Sequence, residues 1–588
     1  MENEILKLSH GFFLENKGIV LGTIIFGIIC STVESIIIPN TVAGTFNSLG
    51  NNIDPSKNPE FKKKLLLLVF SWISIKLAYA VSNYFRKKVE PAITQYITVE
   101  LIKMVFKKYE VENELANAAV VINKVTVIKK NLQDLFYIFC SVFIPRLIVI
   151  LFSCVNFYII NKKIGIIIFV CLVIQFFIVA SGLTTCIDMT FEEQGNKDQV
   201  YDYIEDIFYN ISTLQSTPNA FENEIRELRQ ITIVSKEKEE QSYDCINKKQ
   251  YHGYATNILI FSIIIYQIYT MYTKNILPKE KVTKTLLALT GLFENIYEMT
   301  YYIPEITYKI GVLKNNEQFL RELNLKSKEI VLNREIIFEN NIVEFKNVSF
   351  QYKNKDKSEV IPKQEHMILD NFSMKFPENK VICIFGPSGT GKTSFVKLIF
   401  GAEKPSGGSI FIGGNDISKI PLSKFRKYIS YINQNTTNLF NRSLFDNIVY
   451  GFIDKETTKK EKEDLIEKIK DIFTKFEFYE IFKNLDENKP KWSFLYESVG
   501  KLGKNLSGGQ KQIVHLLKIS FNENAKIIIL DEPTSALDEK SRNAVLNYVK
   551  YLKDLGKSIF IITHDSFYKD VCYSSLQFFQ FKNPEFNI

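Results

Sequence analysis

The octapeptide GPSGTGKT, Gly386 to Thr393, has the spacing G-x-x-x-x-G-K-[ST] of a loop that wraps phosphate. It follows the apolar run VICIF and opens the helical pattern SFVKLIF, the strand–loop–helix setting this chemistry needs. Gly386, Gly389 and Gly391 let backbone N–H groups close on an anion, and Pro387, Ser388, Thr390 and Ser394 complete the cradle. Lys392 can meet the β and γ oxygens of a nucleotide, and the Thr393 hydroxyl can ligate Mg2+.

A second piece of chemistry lies downstream. The run KIIIL ends at Asp531 and Glu532. A buried strand that delivers adjacent carboxylates to its carboxy end puts them where ligands bind in open α/β sheets. Asp531 can hold Mg2+, directly or through water, and Glu532 can orient and deprotonate an attacking water. Between these two pieces lies LSGGQKQIVHLL, from Leu506. Ser507 can cap a helix there, and the N–H groups of Gly508, Gly509 and Gln510 in its first turn can approach an anion. A chain that already has one phosphate loop thus carries a second phosphate-binding turn.

These groups need a frame, and the chain supplies two unlike halves. From about residue 341, NIVEFKNVSFQY alternates like a strand, and VICIF and IIIL are short buried-strand runs separated by helical stretches. The pattern predicts a mostly parallel sheet with helices on its faces. The first half instead carries apolar segments at about 19–38, 65–85, 136–160, 164–183, 255–273 and 282–303. Each is close to the ~20 helical residues that cross a bilayer. Six spans put both ends of this region on one side. The connections 86–135 and 184–254 are polar but helical in pattern, which predicts spans that continue beyond the membrane. Met1–Lys17 is too polar and acidic for a signal peptide, and Ile5, Leu6, Leu8, Phe12 and Phe13 suit a short amphipathic helix along the membrane surface. The expected fold class is an α-helical membrane domain of six transmembrane helices plus an α/β phosphate-loop domain. The expected boundaries are 1–311 for the membrane domain, 312–340 for a helical linker and 341–588 for the nucleotide-binding domain.

Bulk composition agrees. At 588 residues the chain is too long for one core. The net charge of +8 is spread along the chain, with no basic run interleaved with aromatics, so no nucleic-acid partner is expected. Eight cysteines show no CxxC or Cys/His spacing, which predicts free thiols, Cys30, Cys140, Cys154 and Cys171 among them within apolar runs.

The phosphate loop, LSGGQ (506–510), LDEPTSALD (530–538) and ITHD (562–565) occur in that order. Together they resemble the nucleotide-binding domain of an ABC transporter, and six spans before one such domain resemble a half-size exporter of that superfamily. The resemblance is specific over 342–565 and architectural before it. It implies ATP and Mg2+ as ligands, a second half-transporter chain as partner in a homo- or heterodimer (a homodimer would be complete, since the chain carries both half-sites), and a lipid bilayer as setting. It further implies that Tyr352 stacks on adenine, that Gln434 reaches Mg2+ and the water, and that His564 contacts the γ-phosphate. Ser507, Gly508 and Gly509 would face the ATP held by the partner's phosphate loop, with Ser535 and Asp538 in a loop crossing the interface. Helices near 112–119 and 205–217 would couple the two domains, and ESVGKLG (497–503) would touch the membrane domain. Several positions depart from the family pattern. Ile513 and Lys518 replace arginines, His515 replaces a small residue, Ser498 replaces a glutamate, the loop 353–366 is long and charged, and the chain stops soon after His564. Two alternatives stay open on this scaffold: a lipid flippase, and an ATP-binding regulatory membrane subunit that hydrolyses weakly. For the substrate the only handle is polar residues inside the spans: Glu34, Lys76, Arg146, Gln175, Gln267, Glu294 and Glu298. They could line a cavity for a cationic or polar cargo, or pair with one another.

Overall fold

The structure is a computed structural model that describes residues 4–49, 59–111, 118–325, 338, 340–352, 367–434, 438–453, 456–579 and 582–587. The centre of the expected linker, the loop 353–366 and most of the expected coupling stretch 112–119 fall outside the described residues. The chain divides into two compact units, Met1–Lys108 with Leu115–Ser327, and Tyr109–Glu114 with Lys328–Ile588.

The first unit is helical. It opens with α1 (Glu4–Glu15) and α2 (Lys17–Thr32), which runs through a π turn at Val33–Ile37 into α3 (Ile38–Leu49). Next come α4 (Pro59–Val111) and α5 (Ala118–Ile138), the latter continuing through Phe139–Phe143 into α6 (Ile144–Ile160). Then follow α7 (Lys162–Ala180), α8 (Leu183–Tyr209), α9 (Ile211–Ser216), α10 (Ala220–Thr273), α11 (Lys279–Asn315) and α12 (Glu317–Leu325). Among the described residues, five continuous stretches are long and apolar enough to cross a membrane: Lys17–Ser48, Pro59–Tyr109, Val120–Ile160, Lys162–Tyr209 and Ala220–Thr273. The sixth expected span lies in α11, which has the length but is less apolar, because Glu294 and Glu298 interrupt it. The helices do outrun the bilayer. At 54 residues, α10 is about 80 Å long against a hydrocarbon core of about 30 Å.

Asn161 makes the tight turn between α6 and α7 by accepting hydrogen bonds from the N–H groups of Lys163 (3.0 Å) and Ile164 (3.3 Å). The buried seam of α6, α7, α10 and α11 holds Phe157, Ile164, Ile168, Ile264 and Leu289, while Phe152, Phe169 and Phe176 point outward as a lipid-facing surface would. Polar groups are paired across the helices. Arg146 lies 3.6 Å from Glu298 and donates to Asn295 Oδ1 at 3.3 Å. Gln175 donates to Asn257, which donates to Thr300 Oγ1. For Arg146 and Glu298 the geometry is that of structural pairing.

Two disulfides correct the expectation of free thiols. Cys186 on α8 bonds Cys245 on α10 with Cα atoms 5.6 Å apart, and Cys383 bonds Cys572 with Cα atoms 5.7 Å apart. The partners are 59 and 189 residues apart in sequence, so no short spacing betrays them. Cys30, Cys140, Cys154 and Cys171 are free.

The second unit is α/β. Its strands are β1 (Val343–Phe350), β2 (Leu369–Phe376), β3 (Val381–Phe385), β4 (Gly407–Ile412), β5 (Asn415–Asp416), β6 (Ile429–Ile432), β7 (Ile527–Asp531), β8 (Ser558–Ile562), β9 (Ser574–Phe579) and β10 (Lys582–Asn587). Among its helices are α13 (Lys392–Ile399), α14 (Leu422–Phe425), α15 (Leu444–Ile448), α16 (Lys459–Lys475), α17 (Tyr479–Phe482), α18 (Gly508–Leu517) and α19 (Glu539–Asp554). One sheet is antiparallel in the order β2-β1-β4-β5. The other has the order β10-β9-β3-β8-β7-β6, parallel from β9 to β6. All residues of β7 and β8 are buried, as their unbroken apolar runs require of strands covered on both faces.

Candidate nucleotide-binding site

The four neighbouring strands β3, β8, β7 and β6 run parallel, so the loops leaving them emerge along one edge. β3 leads into the loop Gly386–Gly391, β8 into Thr563 and His564, β7 into Asp531 and Glu532, and β6 into Gln434.

The phosphate loop depends on its glycines for geometry, with Gly386, Gly389 and Gly391 all at positive φ. Gly391, at φ 98°, is the residue before α13, and a Cβ there would lie 2.3 Å from Ile368 Cγ2. At Gly386, φ 144°, a Cβ would lie 2.6 Å from the Phe578 carbonyl oxygen. Pro387, Ser388 and Gly389 form the exposed tip, and Thr390 Oγ1 donates to the Pro387 carbonyl at 2.9 Å. Lys392 is buried and donates from Nζ to the carbonyls of Gly386 (2.6 Å) and Pro387 (2.8 Å). Burial lowers its pKa, and the carboxylates of Glu532 and Asp531 pull against that.

Thr393 Oγ1 donates to Asp531 Oδ2 at 3.3 Å. Asp531 is only 3% exposed, and burial pushes its pKa from 3.8 up to about 6, with the Thr393 hydrogen bond opposing the rise. A buried carboxylate beside a hydroxyl at the mouth of a phosphate loop fits Mg2+, which takes hard oxygen ligands from one or two protein groups and the rest from phosphate and water.

Glu532 is the hub. Gln434 Nε2 donates to its Oε2 at 3.0 Å, and His564 Nε2 lies 3.2 Å from its Oε1. Its backbone is left-handed at φ 49°, a conformation that costs a non-glycine residue about 1–2 kcal/mol. The Glu532 N–H bonds the Ile562 carbonyl at 2.9 Å, which ties the acid to the end of β8 beside His564. Tyr352 is half-exposed, packs edge-on against Phe350 and shares a 3.0 Å hydrogen bond with Ser394 Oγ in α13. So Tyr352, the phosphate loop, Gln434, Asp531, Glu532 and His564 come together in one neighbourhood.

The LSGGQ residues do not join them. Ser507 caps α18: its Oγ accepts from the Gln510 N–H at 3.2 Å, and Gln510 Oε1 accepts from the Ser507 N–H at 2.9 Å. Gln510 Nε2 donates onward to the Ile481 carbonyl (2.9 Å) and Asn484 Oδ1 (3.2 Å). Gly508 and Gly509 pack against Ala536. Among the described residues none of these groups bonds the phosphate loop. Asp538 caps α19 through the Ser541 N–H at 2.8 Å, and the Ser535 N–H bonds the Glu532 carbonyl at 3.3 Å. Ser498 Oγ donates to Asn441 Oδ1 at 2.9 Å. The altered α18 positions are accommodated: Ile513 is fully buried, and burial lowers His515 to about 4 and Lys518 below its usual range. Sequence reasoning missed Gln512, whose Nε2 donates to the Glu532 carbonyl at 2.9 Å.

A phosphate loop, a buried Asp, a hub Glu and a capped LSGGQ turn, joined in one chain to a unit of long apolar helices, define a membrane-linked nucleotide-binding protein. The chain belongs to the ABC transporter family, whose model matches residues 369–535. It is 30% identical over 227 residues to the energy-coupling factor transporter ATP-binding protein EcfA1 of Mycoplasmoides gallisepticum, covering 38% of this chain and 70% of that one. It is 33% identical over 208 residues to the mitochondrial iron-sulfur clusters transporter ATM1 of Debaryomyces hansenii, covering 35% of this chain and 26% of that one. Across the first fungal relatives the match spans between 13% and 26% of their length. A solved structure of a bacterial Atm1-family ABC exporter with ATP bound aligns with a TM-score of 0.78 at 18% identity, over 97% of this chain and 95% of that one. At that identity the likeness establishes the fold: a helical unit followed by an ABC nucleotide-binding domain.

Proposed function

We propose that this chain is one half of an ATP-hydrolysing exporter, in which two copies bind two ATP at a shared interface and move a substrate across a membrane by alternating access. The observation that carries this reading is the meeting of Gln434 and His564 on the Glu532 carboxylate, with Lys392, Thr393 and Asp531 alongside. In this reading Glu532 accepts the proton of the attacking water, and Gln434 orients that water. His564 steadies the carboxylate and reaches the γ-phosphate. Lys392 and the loop N–H groups hold the β and γ oxygens, and Tyr352 stacks on the adenine. Thr393, Asp531 and Gln434 would hold Mg2+, which when bound offsets phosphate charge.

The capped turn Ser507–Gln510, which bonds nothing in its own phosphate loop, suits an ATP held by the other copy. There the start of α18 adds its positive dipole end. Closing two such half-sites on ATP and reopening them after hydrolysis gives the difference in contacts that can drive a membrane unit between two states. The stretches near 112–119 and 205–217 would receive that motion. The whole-chain likeness to an exporter supports the direction of transport, and the long apolar helices support a multi-pass membrane protein with the nucleotide-binding unit on the cytoplasmic side.

The test is Mg2+-dependent ATP hydrolysis by the full chain in lipid discs. Glu532→Gln should keep ATP binding and lower kcat by about a hundredfold or more. A wild-type chain that hydrolyses no ATP, or a variant as fast as wild type, refutes the reading.

A further inference from the structure

Glu532 occupies a left-handed backbone position, so the direction of its carboxylate depends on whatever fixes the turn that follows it. That turn, Glu532 to Ala536, is closed at both ends by one side chain. Gln512 Nε2 donates to the Glu532 carbonyl at 2.9 Å, and Gln512 Oε1 accepts from the Ala536 N–H at 3.3 Å. Gln512 belongs to α18, two residues after Gln510. Two residues apart on a helix means different faces, and the two amides do bond different partners: Gln510 reaches Ile481 and Asn484, and Gln512 reaches the Glu532 turn. The contact is also tight, because a Cβ at Gly509 would sit 3.0 Å from the Ala536 carbonyl oxygen. A shift of α18 therefore carries the 532–536 turn with it.

We propose that Gln512 is a positioning residue that transmits the seating of α18 to the Glu532 carboxylate. The inference rests on the exporter reading above, in which the start of α18 faces the ATP of the partner copy while Glu532 serves the ATP of its own chain. Gln512 then links the two composite sites: engagement of one ATP by α18 sets the acid that acts on the other.

The experiment is steady-state ATP hydrolysis by the full chain in lipid discs, comparing wild type with Gln512→Glu and Gln512→Met. The first keeps an acceptor for the Ala536 N–H and loses the donor to Glu532; the second loses both at similar volume. Each variant is expected to lower kcat by about tenfold or more, since small misplacements of a reacting group are costly. The KM for ATP should stay within about twofold, and the Hill coefficient should fall towards about 1 as the sites uncouple. If Gln512→Glu yields no folded protein, Gln512→Met carries the comparison. An unchanged kcat and Hill coefficient overturns the inference, as does a KM that rises in step with the loss of kcat. A wild-type chain without ATPase activity overturns the exporter reading and this inference together, whereas an active wild type with unaffected variants overturns this inference alone.

Discussion

Replacing Asp531 by Asn should make the nucleotide-free protein more stable while removing its response to Mg-ATP. Asp531 is 3% exposed and has the Thr393 hydroxyl as its donor, so burial raises its pKa from 3.8 to about 6. A folded pKa above the unfolded value means the folded state holds the proton more tightly. Its contribution is fully present below pH 3.8 and is lost as pH rises through about 6. At pH 8 the fold therefore carries a desolvated carboxylate. A rise of about two pKa units corresponds to an upper bound of about 3 kcal/mol. Asn keeps an oxygen for Thr393 and carries no charge, so Asp531→Asn recovers much of that amount. For a unit of this size it would raise the melting temperature by up to roughly 5–10 °C at pH 8. At pH 5 the folded carboxyl is mostly protonated while the unfolded one is mostly ionised, so the gap should shrink to about half, and it closes only below pH 3.8. The assay is thermal unfolding of the full chain in lipid discs at pH 5 and pH 8, with and without Mg-ATP. Mg-ATP should raise the wild-type melting temperature at pH 8, less so at pH 5, and leave the variant where it is. A variant no more stable than wild type at pH 8, or a gain of equal size at both pH values, would refute the reasoning.

Two further substitutions test the frame. Gly391→Ala places a Cβ at φ 98° and 2.3 Å from Ile368, so ATP affinity, read by titration with a fluorescent nucleotide, should fall by about tenfold or more. Arg146→Ala leaves Glu298 without its cation and Asn295 without its donor. Destabilisation of about 1–3 kcal/mol is expected, discounted from a fully buried pair because both groups are partly exposed, and Glu298→Gln in the same chain should recover part of it in thermal unfolding.

The phosphate loop and the acid pair are legible in the sequence because each follows a short apolar run of the buried-strand type: VICIF before Gly386 and IIIL before Asp531. What the linear order hides is adjacency. The sheet order β3-β8-β7-β6 sets His564 between residues that precede it by some thirty to nearly two hundred positions, and it alone gives Gln434 a carboxylate to bond. Gln434 has meaning in the sequence only through the family resemblance; in the fold it has a distance. Gln512 has no meaning until the turn it holds is in place, because a helix face is defined by its neighbours. The membrane half follows the same rule. Apolar length locates the helices, but whether Glu298 lines a cavity or answers a cation depends on which helix packs beside α11, and the packing of α6 there brings Arg146 to it. Residue type sets what each group can do, and the neighbour supplied by strand order or helix packing selects among those possibilities.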